Sequence, residues 1–359
     1  MSNLSEKISV LIVDDSFFIR KVLKHLIDGQ PDMFVVGEAG DGEEAILLAR
    51  KLKPRVITMD YHLPKKNGLE ATGEIMLSVV PAPGVLIVSA FSGSDGQGVL
   101  ESLKVGAVDY IEKPSGELSL DMSSVSRKIV DKIRAIGVSS VRMNRANRHA
   151  QRKQLIDGNH SVDRHSRIVV IGASTGGPPI IEDILEQLPT NLGFSIIVVQ
   201  HMSKYFTSIF AERFDRIGGY RVKEATDGDI LEQNHVYVAP GDAYVTVKNV
   251  PDTEEFILEV VPKTALESQT ESDIDVVLFS VAEVARDRSL GIVLTGMGSD
   301  GALGLTAIVK EGGVAFIQEP SSAVVGSMPK SARSLVTLAH ILLPEDIVPQ
   351  MIQLATFRG

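Results

Sequence analysis

The sequence predicts an α/β protein: two doubly wound parallel-sheet domains joined by a basic polar linker. Three observations carry that reading. In the first 137 residues, short runs of β-formers alternate with longer amphipathic stretches, as in a parallel sheet covered by helices on both faces. The same strand, turn and helix pattern restarts at Ile168. Between them, residues 141–167 carry seven Arg/Lys against two acids, with His149, His160 and His165 and few large apolar side chains, a linker composition. The expected boundaries are 1–137, 138–166 and 167–359, and a chain of 359 residues is long enough to bury two cores.

Composition removes several function classes. There is no cysteine, which excludes a disulfide scaffold and thiolate metal sites. The segment Met1 to Lys7 is polar and no apolar run approaches a membrane span, so the expected location is cytoplasmic, without membrane insertion. The formal net charge is −10, both domains are acidic, and the basic linker lacks interleaved aromatics, which argues against nucleic-acid binding.

In the first domain, strands are expected at Ile8–Val13, Phe34–Val36, Val56–Met59, Val85–Val88 and Ala107–Ile111. Amphipathic stretches at about 17–28, 42–52, 68–78, 95–104 and 121–136 separate them. Ligands of such sheets sit beyond the carboxyl ends of the strands. There the sequence places Asp14 and Asp15, then Asp60, then Ser89, then Lys113 and Pro114. Three neighbouring carboxylates repel one another unless a cation joins them, and hard oxygen donors suit Mg²⁺. Asp60 would then accept a phosphoryl group, with Lys113 and Ser89 on its oxygens. Each residue singly has an ordinary role: Asp14 or Asp15 as a helix cap, Asp60 in a turn, Lys113 on the surface.

The stretches VDDS (13–16), MDYHLPKKNGLEA (59–71), VSA (88–90) and GAVDYIEKP (106–114) together resemble the receiver domain of two-component response regulators, a flavodoxin-like fold. The resemblance implies Asp60 as phosphoacceptor and Asp14, Asp15, Asp60 and the backbone carbonyl of His62 as Mg²⁺ ligands. It also implies Ser89, Tyr110 and Lys113 as switch residues and a histidine kinase as phosphodonor. His62 stands where relatives that pair this domain with an esterase usually carry Glu.

The second domain opens on Ile168 to Ala173, a run of β-formers ending at Ser174 between glycines, with an amphipathic stretch from Pro179. Gly172-Ala173-Ser174-Thr175-Gly176 reads as G-x-S-x-G, a turn that lifts a serine hydroxyl above a parallel sheet next to helical N–H groups. The next strand, Ser195–Val199, ends at Gln200-His201-Met202. A later one, Gly291–Leu294, runs into Thr295-Gly296-Met297-Gly298-Ser299-Asp300-Gly301. If the sheet is parallel, Ser174, His201 and Asp300 all lie past strand carboxyl ends, supplying a hydroxyl, an imidazole and a carboxylate. The ordinary roles are a tight turn, a polar strand end and an Asp-Gly turn. A dinucleotide fingerprint fits poorly, because the second strand ends in Gln200 and His201 rather than an acid, and no Lys-Ser/Thr follows the glycines to make a P-loop.

IGASTGGP (171–178), VVQHMSKYFTSIFAERF (198–214), VYVAPGDAYV (236–245), LTGMGSDGALG (294–304) and VVGSMPKSA (324–332) resemble the chemotaxis protein-glutamate methylesterases, whose catalytic domain is Rossmann-like. That resemblance implies Ser174 as nucleophile, His201 as general base, Asp300 as its orienting carboxylate, and backbone N–H groups at Thr175 and Met297 as oxyanion donors. It implies hydrolysis of glutamate γ-methyl esters on the cytoplasmic helices of chemoreceptors, with no cofactor in the esterase site. Some relatives also deamidate receptor glutamines. In the family the unphosphorylated receiver blocks the esterase cleft. Two features depart from the pattern: an acidic stretch at 267–275, and Gly326-Ser327-Met328-Pro329 without a preceding aromatic. The best alternative is a phosphorylation-dependent regulator whose esterase domain serves a protein-binding role, against which the intact Ser174, His201 and Asp300 argue. A DNA-binding response regulator comes third, and no helix-turn-helix segment replaces the α/β output domain for it.

Overall fold

The computed structural model describes residues 7–89, 96–113, 120–138, 167–190, 192–217, 219–265 and 272–356. The chain divides into two compact units, Met1–Gln151 and Arg152–Gly359. The linker expected at 138–166 falls, beyond Val138, outside the described residues, as do Pro114 and residues 267–271 of the acidic stretch.

The first unit runs β1 (Ile8–Val13), α1 (Phe17–Asp28), β2 (Met33–Ala39), α2 (Gly42–Leu52), β3 (Val56–Met59), α3 (Gly68–Ser78), β4 (Gly84–Ser89), α4 (Gly96–Val105), β5 (Asp109–Glu112) and α5 (Leu120–Val138). Its five strands lie in the order β2-β1-β3-β4-β5, all parallel, so the order reverses between β1 and β3. Helix starts follow local chemistry. Ser16 caps α1, Asp41 caps α2, and Asn67 with Glu70 forms a capping box on α3. Capping of α1 thus belongs to Ser16 rather than Asp14 or Asp15. The strand expected from Ala107 begins at Asp109, because Gly106 (φ 129°) and the Ala107 N–H bond to Ser102 still close the end of α4.

The second unit begins β6 (Arg167–Ala173), α6 (Gly177–Gln187), β7 (Phe194–Gln200), α7 (Lys204–Ile217), β8 (Arg221–Glu224) and β9 (His235–Val238). An antiparallel pair follows, β10 (Ala243–Asn249) and β11 (Phe256–Pro262), which the sequence pattern does not announce. The remainder is α8 (Asp273–Ala285), β12 (Ser289–Val293), α9 (Ala302–Lys310), β13 (Val314–Gln318), α10 (Ser327–Leu335), β14 (His340–Leu342) and α11 (Pro344–Thr356). Seven strands form one parallel sheet, β14-β13-β12-β6-β7-β9-β8. From β6 the chain fills one side of the sheet, then returns to fill the other, so β6 and β12 flank the point where the order reverses. Ligands of doubly wound sheets sit at that point, outside the strand carboxyl ends. Helix α6 starts at Gly177 rather than near Pro179, since Pro178 and Pro179 fit a first turn whose N–H groups have no helical partner.

The core beneath that crevice is almost wholly aliphatic: Val170, Ile197, Val293 and Ile317 on the sheet, against Ile274, Leu278, Val281 and Leu305 from α8 and α9. Burying a side chain of this size contributes about 1.5–3 kcal/mol, so the site rests on a stiff floor.

Candidate active site

Ser174 follows β6 directly. Its N–H bonds the Thr295 carbonyl (3.0 Å), and its own carbonyl accepts from Gly177 N–H (2.8 Å), closing the turn into α6. Gly176 sits at φ 80° as the cap of α6, a conformation that strains any residue with a Cβ. Gly172 has a packing reason instead: a Cβ there would overlap Ile274 at the start of α8. Sequence reasoning expected the α6 terminus to offer several free N–H groups. It offers fewer, because Pro178 and Pro179 have none and Gly177 donates to Ser174.

His201 follows β7, the strand beside β6, and its N–H bonds the Ala173 carbonyl (3.0 Å). Its Nε2 lies 2.8 Å from Asp300 Oδ2. A carboxylate only accepts, so Nε2 carries the hydrogen and Nδ1 keeps a lone pair. Asp300 lies in the loop after β12 and is buried. Its Oδ2 also accepts from Ile274 N–H (3.0 Å), and Oδ1 from Asp275 (2.9 Å) and Gly301 (2.8 Å) N–H groups. Burial alone pushes this carboxyl up. The His201 hydrogen bond and the N–H groups at the α8 N-terminus outweigh it and hold the group below its usual range.

The arrangement is reciprocal. Asp300, before α9, receives the N-terminal N–H groups of α8, while Asp275, inside α8, accepts from Gly304 N–H (2.6 Å) in α9. Burial, reinforced by the nearby Asp300 charge, raises the Asp275 carboxyl above its usual range. Sequence reasoning missed Asp275, and no spacing signals a residue that meets Asp300 only through two helix termini.

Thr175 is buried, and its carbonyl accepts from Thr295 Oγ1 (2.9 Å). The same hydroxyl accepts from Val325 N–H (2.9 Å), and Thr295 N–H donates to Gln318 Oε1 (2.8 Å). Met297 is exposed, next to Gly296, whose N–H donates to the Val325 carbonyl and whose carbonyl accepts from Met328 N–H. A Cβ on Gly296 would overlap Met328 Sδ and come within 2.9 Å of Ser174 Cβ. His201 and Asp300 are thus in direct contact, and Ser174 follows the strand beside that of His201 and packs against Gly296. Thr175 and Met297 are the chain neighbours of Ser174 and Gly296.

The second cluster is in the first unit. Asp14 ends β1, Asp60 ends β3, and carboxylate oxygens of Asp14, Asp15 and Asp60 lie within 4.8 Å of one another. Asp14 and Asp60 are buried and Asp15 is exposed. Lys113, after β5, places Nζ 2.7 Å from both Asp14 Oδ2 and Asp60 Oδ2. Burial chiefly, then the Asp14 charge, raises the Asp60 carboxyl despite Lys113. Burial works against the Lys113 ammonium, yet its bonds to both carboxylates win and raise it. Ser89 is fully buried at the end of β4, its hydroxyl without a hydrogen-bond partner among the described residues. Tyr110 is buried on β5. His62 is exposed, and its N–H bonds Asp60 Oδ1 (3.3 Å). The three clustered carboxylates fit a hard divalent cation.

The chain thus carries a carboxylate cluster on one parallel-sheet unit and serine, histidine and aspartate past strand ends of the other. Family comparison narrows the reading. The CheB methylesterase family matches residues 169–351 and the response regulator receiver domain residues 10–122. The protein-glutamate methylesterase/protein-glutamine glutaminase of Methanococcus maripaludis is 36% identical over 97% of this chain and 98% of that protein. Its counterpart of the same name from Thermotoga maritima is 37% identical over 97% of this chain and 98% of its own. The crystal structure of the Thermotoga maritima CheB methylesterase catalytic domain matches 53% of this chain at 33% identity, covering 99% of that structure, with a TM-score of 0.49. The chain belongs to the CheB methylesterase family, with a response regulator receiver domain at its N-terminal end.

Among the described residues no helix is long and apolar enough to cross a membrane.

Proposed function

We propose that this protein is a phosphorylation-activated protein-glutamate methylesterase acting on chemoreceptors, through a serine acyl-enzyme. One observation carries the mechanism: the His201 Nε2 bond to Asp300 leaves Nδ1 as the basic nitrogen at the strand end beside Ser174. Ser174 Oγ attacks the γ-ester carbonyl while Nδ1 takes its proton. The tetrahedral oxyanion is met by backbone N–H groups of Thr175 and Met297, donors worth roughly 3–4 kcal/mol each in comparable sites. The carbon–oxygen bond to methoxide then breaks, His201 returns the proton, and methanol leaves. Water, deprotonated by His201, cleaves the acyl-serine to free glutamate and Ser174. Asp300 stays ionised and stabilises the imidazolium in both steps. The relatives are also named glutaminases. On a γ-amide the same steps release ammonia in place of methanol.

Asp14, Asp15 and Asp60, with the His62 carbonyl, would hold Mg²⁺ in the receiver, where the cation supplies charge neutralisation for an incoming phosphoryl group. The raised Asp60 carboxyl supports this, since a cation relieves the repulsion from Asp14. Asp60 takes the phosphoryl group from a histidine kinase, Lys113, now against Asp60, pairs its oxygens, and the buried Ser89 and Tyr110 are the residues that respond in this reading. Activation then requires the phosphate to favour an active arrangement over an inactive one.

The test is methanol release from a methylated chemoreceptor fragment, with and without a small phosphodonor and Mg²⁺. Release should rise with phosphodonor, lose that rise in Asp60→Asn, and vanish in Ser174→Ala. A wild type confirmed phosphorylated at Asp60 that releases no methanol would overturn the proposal.

A further inference from the structure

Directly below the turn lies a side chain that the mechanism above does not use. Gln200, the last residue of β7, is 5% exposed. It pairs in the ladder with Ala173, the last residue of β6, and beyond that pair the two strands part to carry Ser174 and His201. The Gln200 carboxamide fills the fork. Its Nε2 lies 3.0 Å from the Ser174 carbonyl and 3.2 Å from the His201 carbonyl. Both neighbours are acceptors, which fixes the amide with its NH₂ toward them and gives each hydrogen a partner.

We infer that Gln200 is a positioning residue that sets the spacing between the Ser174 and His201 backbones, an inference that rests on the reading of these two as nucleophile and base. It contacts no substrate; it acts through the carbonyls of the two residues that do the chemistry. The second glycine of the turn belongs to the same device. A Cβ at Gly177 would overlap Gln200 Oε1 and Ala173 Cβ, so only glycine leaves room for the carboxamide. Ser174 is consequently held from three sides: N–H to Thr295, and carbonyl to both Gly177 and Gln200. His201 is held by its N–H to Ala173, its carbonyl to Gln200 and its ring to Asp300. Among the described residues, the Gln200 side chain bonds both.

A near-isosteric apolar replacement removes both bonds, leaving the Ser174 carbonyl to Gly177 N–H alone and taking the Gln200 donor from the His201 carbonyl. Displacing a reacting pair by about 1 Å lowers turnover on the order of 100-fold. The experiment compares wild type, Gln200→Met, Gln200→Glu and Ser174→Ala as full-length proteins. It reads methanol release, thermal unfolding, and the rate at which a fluorophosphonate probe labels the serine. Gln200→Met should lower kcat about 10- to 100-fold with KM within about twofold, and lower the labelling rate per folded molecule in the same proportion. A role confined to stability would lower the melting temperature and leave the labelling rate of folded protein unchanged. Gln200→Glu adds a rescue: its protonated carboxyl restores one donor, so its labelling rate relative to wild type should climb as pH falls, which that of Gln200→Met should not. Should Gln200→Met fail to fold, a Gln200→Glu ratio flat with pH overturns the inference, and a climbing ratio supports it. A folded Gln200→Met with wild-type kcat and labelling also overturns it. If wild type neither releases methanol nor is labelled at Ser174, the enzyme reading itself has failed, a result separable from failure of this inference alone. If it releases methanol without being labelled, the kcat comparison alone decides.

Discussion

Asp300→Asn perturbs the site by one atom's chemistry, and its consequence follows from the partners. All four groups bonded to Asp300 are donors: Ile274 N–H and His201 Nε2 on one oxygen, Asp275 and Gly301 N–H on the other. An asparagine must turn its NH₂ toward one of those pairs. Facing His201, it donates to Nε2, and the imidazole must place its hydrogen on Nδ1, where it can no longer accept the Ser174 proton. In that orientation it also meets the Ile274 N–H head-on; facing the other way, it meets the Asp275 and Gly301 N–H groups and leaves them unsatisfied. Either way the charge that stabilises the imidazolium is gone. The wrong tautomer removes about 10⁴ in kcat, about 5.5 kcal/mol at 1.36 kcal/mol per decade. Orphaning buried donors costs about 1–3 kcal/mol of stability. The assay is methanol release with kcat and KM separated, beside thermal unfolding. The pH dependence has a definite sign. Asp300 is depressed in the fold, so its stabilisation is present above the unfolded carboxylate pKa and lost as pH falls through the lower folded value. The stability gap between wild type and Asp300→Asn should therefore be constant near neutrality and close only in acid. A folded Asp300→Asn protein within tenfold of wild-type kcat would refute this reasoning.

Three further outcomes are expected. Asp275 is raised in the fold, so its contribution is most favourable when protonated and erodes as pH rises from the unfolded carboxylate pKa through the folded one. Asp275→Asn, which still accepts from Gly304, should melt at or above wild type at neutral pH, and Asp275→Leu lower by about 1–3 kcal/mol for the orphaned Gly304 N–H; an Asn variant melting several degrees lower would contradict this. Asp60 is raised for the same dominant reason, so Asp60→Asn should stabilise the metal-free receiver at neutral pH. Mg²⁺ should raise the wild-type melting temperature by mass action far more than that of Asp60→Asn, which differential scanning calorimetry with and without the metal decides. Gly296→Ala drives a methyl into Met328 and toward Ser174 Cβ, so kcat should fall at least tenfold while KM barely moves; unchanged turnover would show that the loop yields.

The parallel alternation was legible because β1, β3 and β4 are short apolar runs with a chemically distinct residue at or just past their ends, and the structure keeps β1, β3 and the helices α1 to α3 where periodicity puts them. Asp14, Asp60, Ser174 and His201 were legible for the same reason: they fall one residue past a strand. The antiparallel pair β10 and β11 was not, since alternation over Ala243–Asn249 looks like any half-buried strand and its partner is set only by tertiary pairing. Nor was Asp275. Its partner Gly304 lies on another helix, and the acidic run around it reads as surface while its carboxylate is buried. Gln200 announced itself only as a non-acidic strand end, which counted against a dinucleotide site and left its bonds to Ser174 and His201 invisible.

Chain order and spatial order diverge here, and the divergence explains the glycines. Ser174 follows the middle strand of three, His201 the strand on one side, and Asp300 lies in the loop after the strand on the other. Strands are about 4.8 Å apart, so the loop after β12 must reach across β6, two spacings or about 10 Å, to bring Asp300 to His201. It has six residues between Val293 and Asp300 for the crossing, and it passes against Ser174 as it goes. Thr295 bonds the Ser174 N–H at the near side, Gly296 slides past Ser174 where a Cβ would come within 2.9 Å, and Gly301 (φ 86°) turns the chain into α9. The α8 N-terminus then catches Asp300 on the far side. An Asp placed after β6 or β7 would need no crossing loop. Taking it from β12 instead ties the carboxylate, the candidate nucleophile and the Met297 backbone to one short segment, so a shift of that segment displaces all three together.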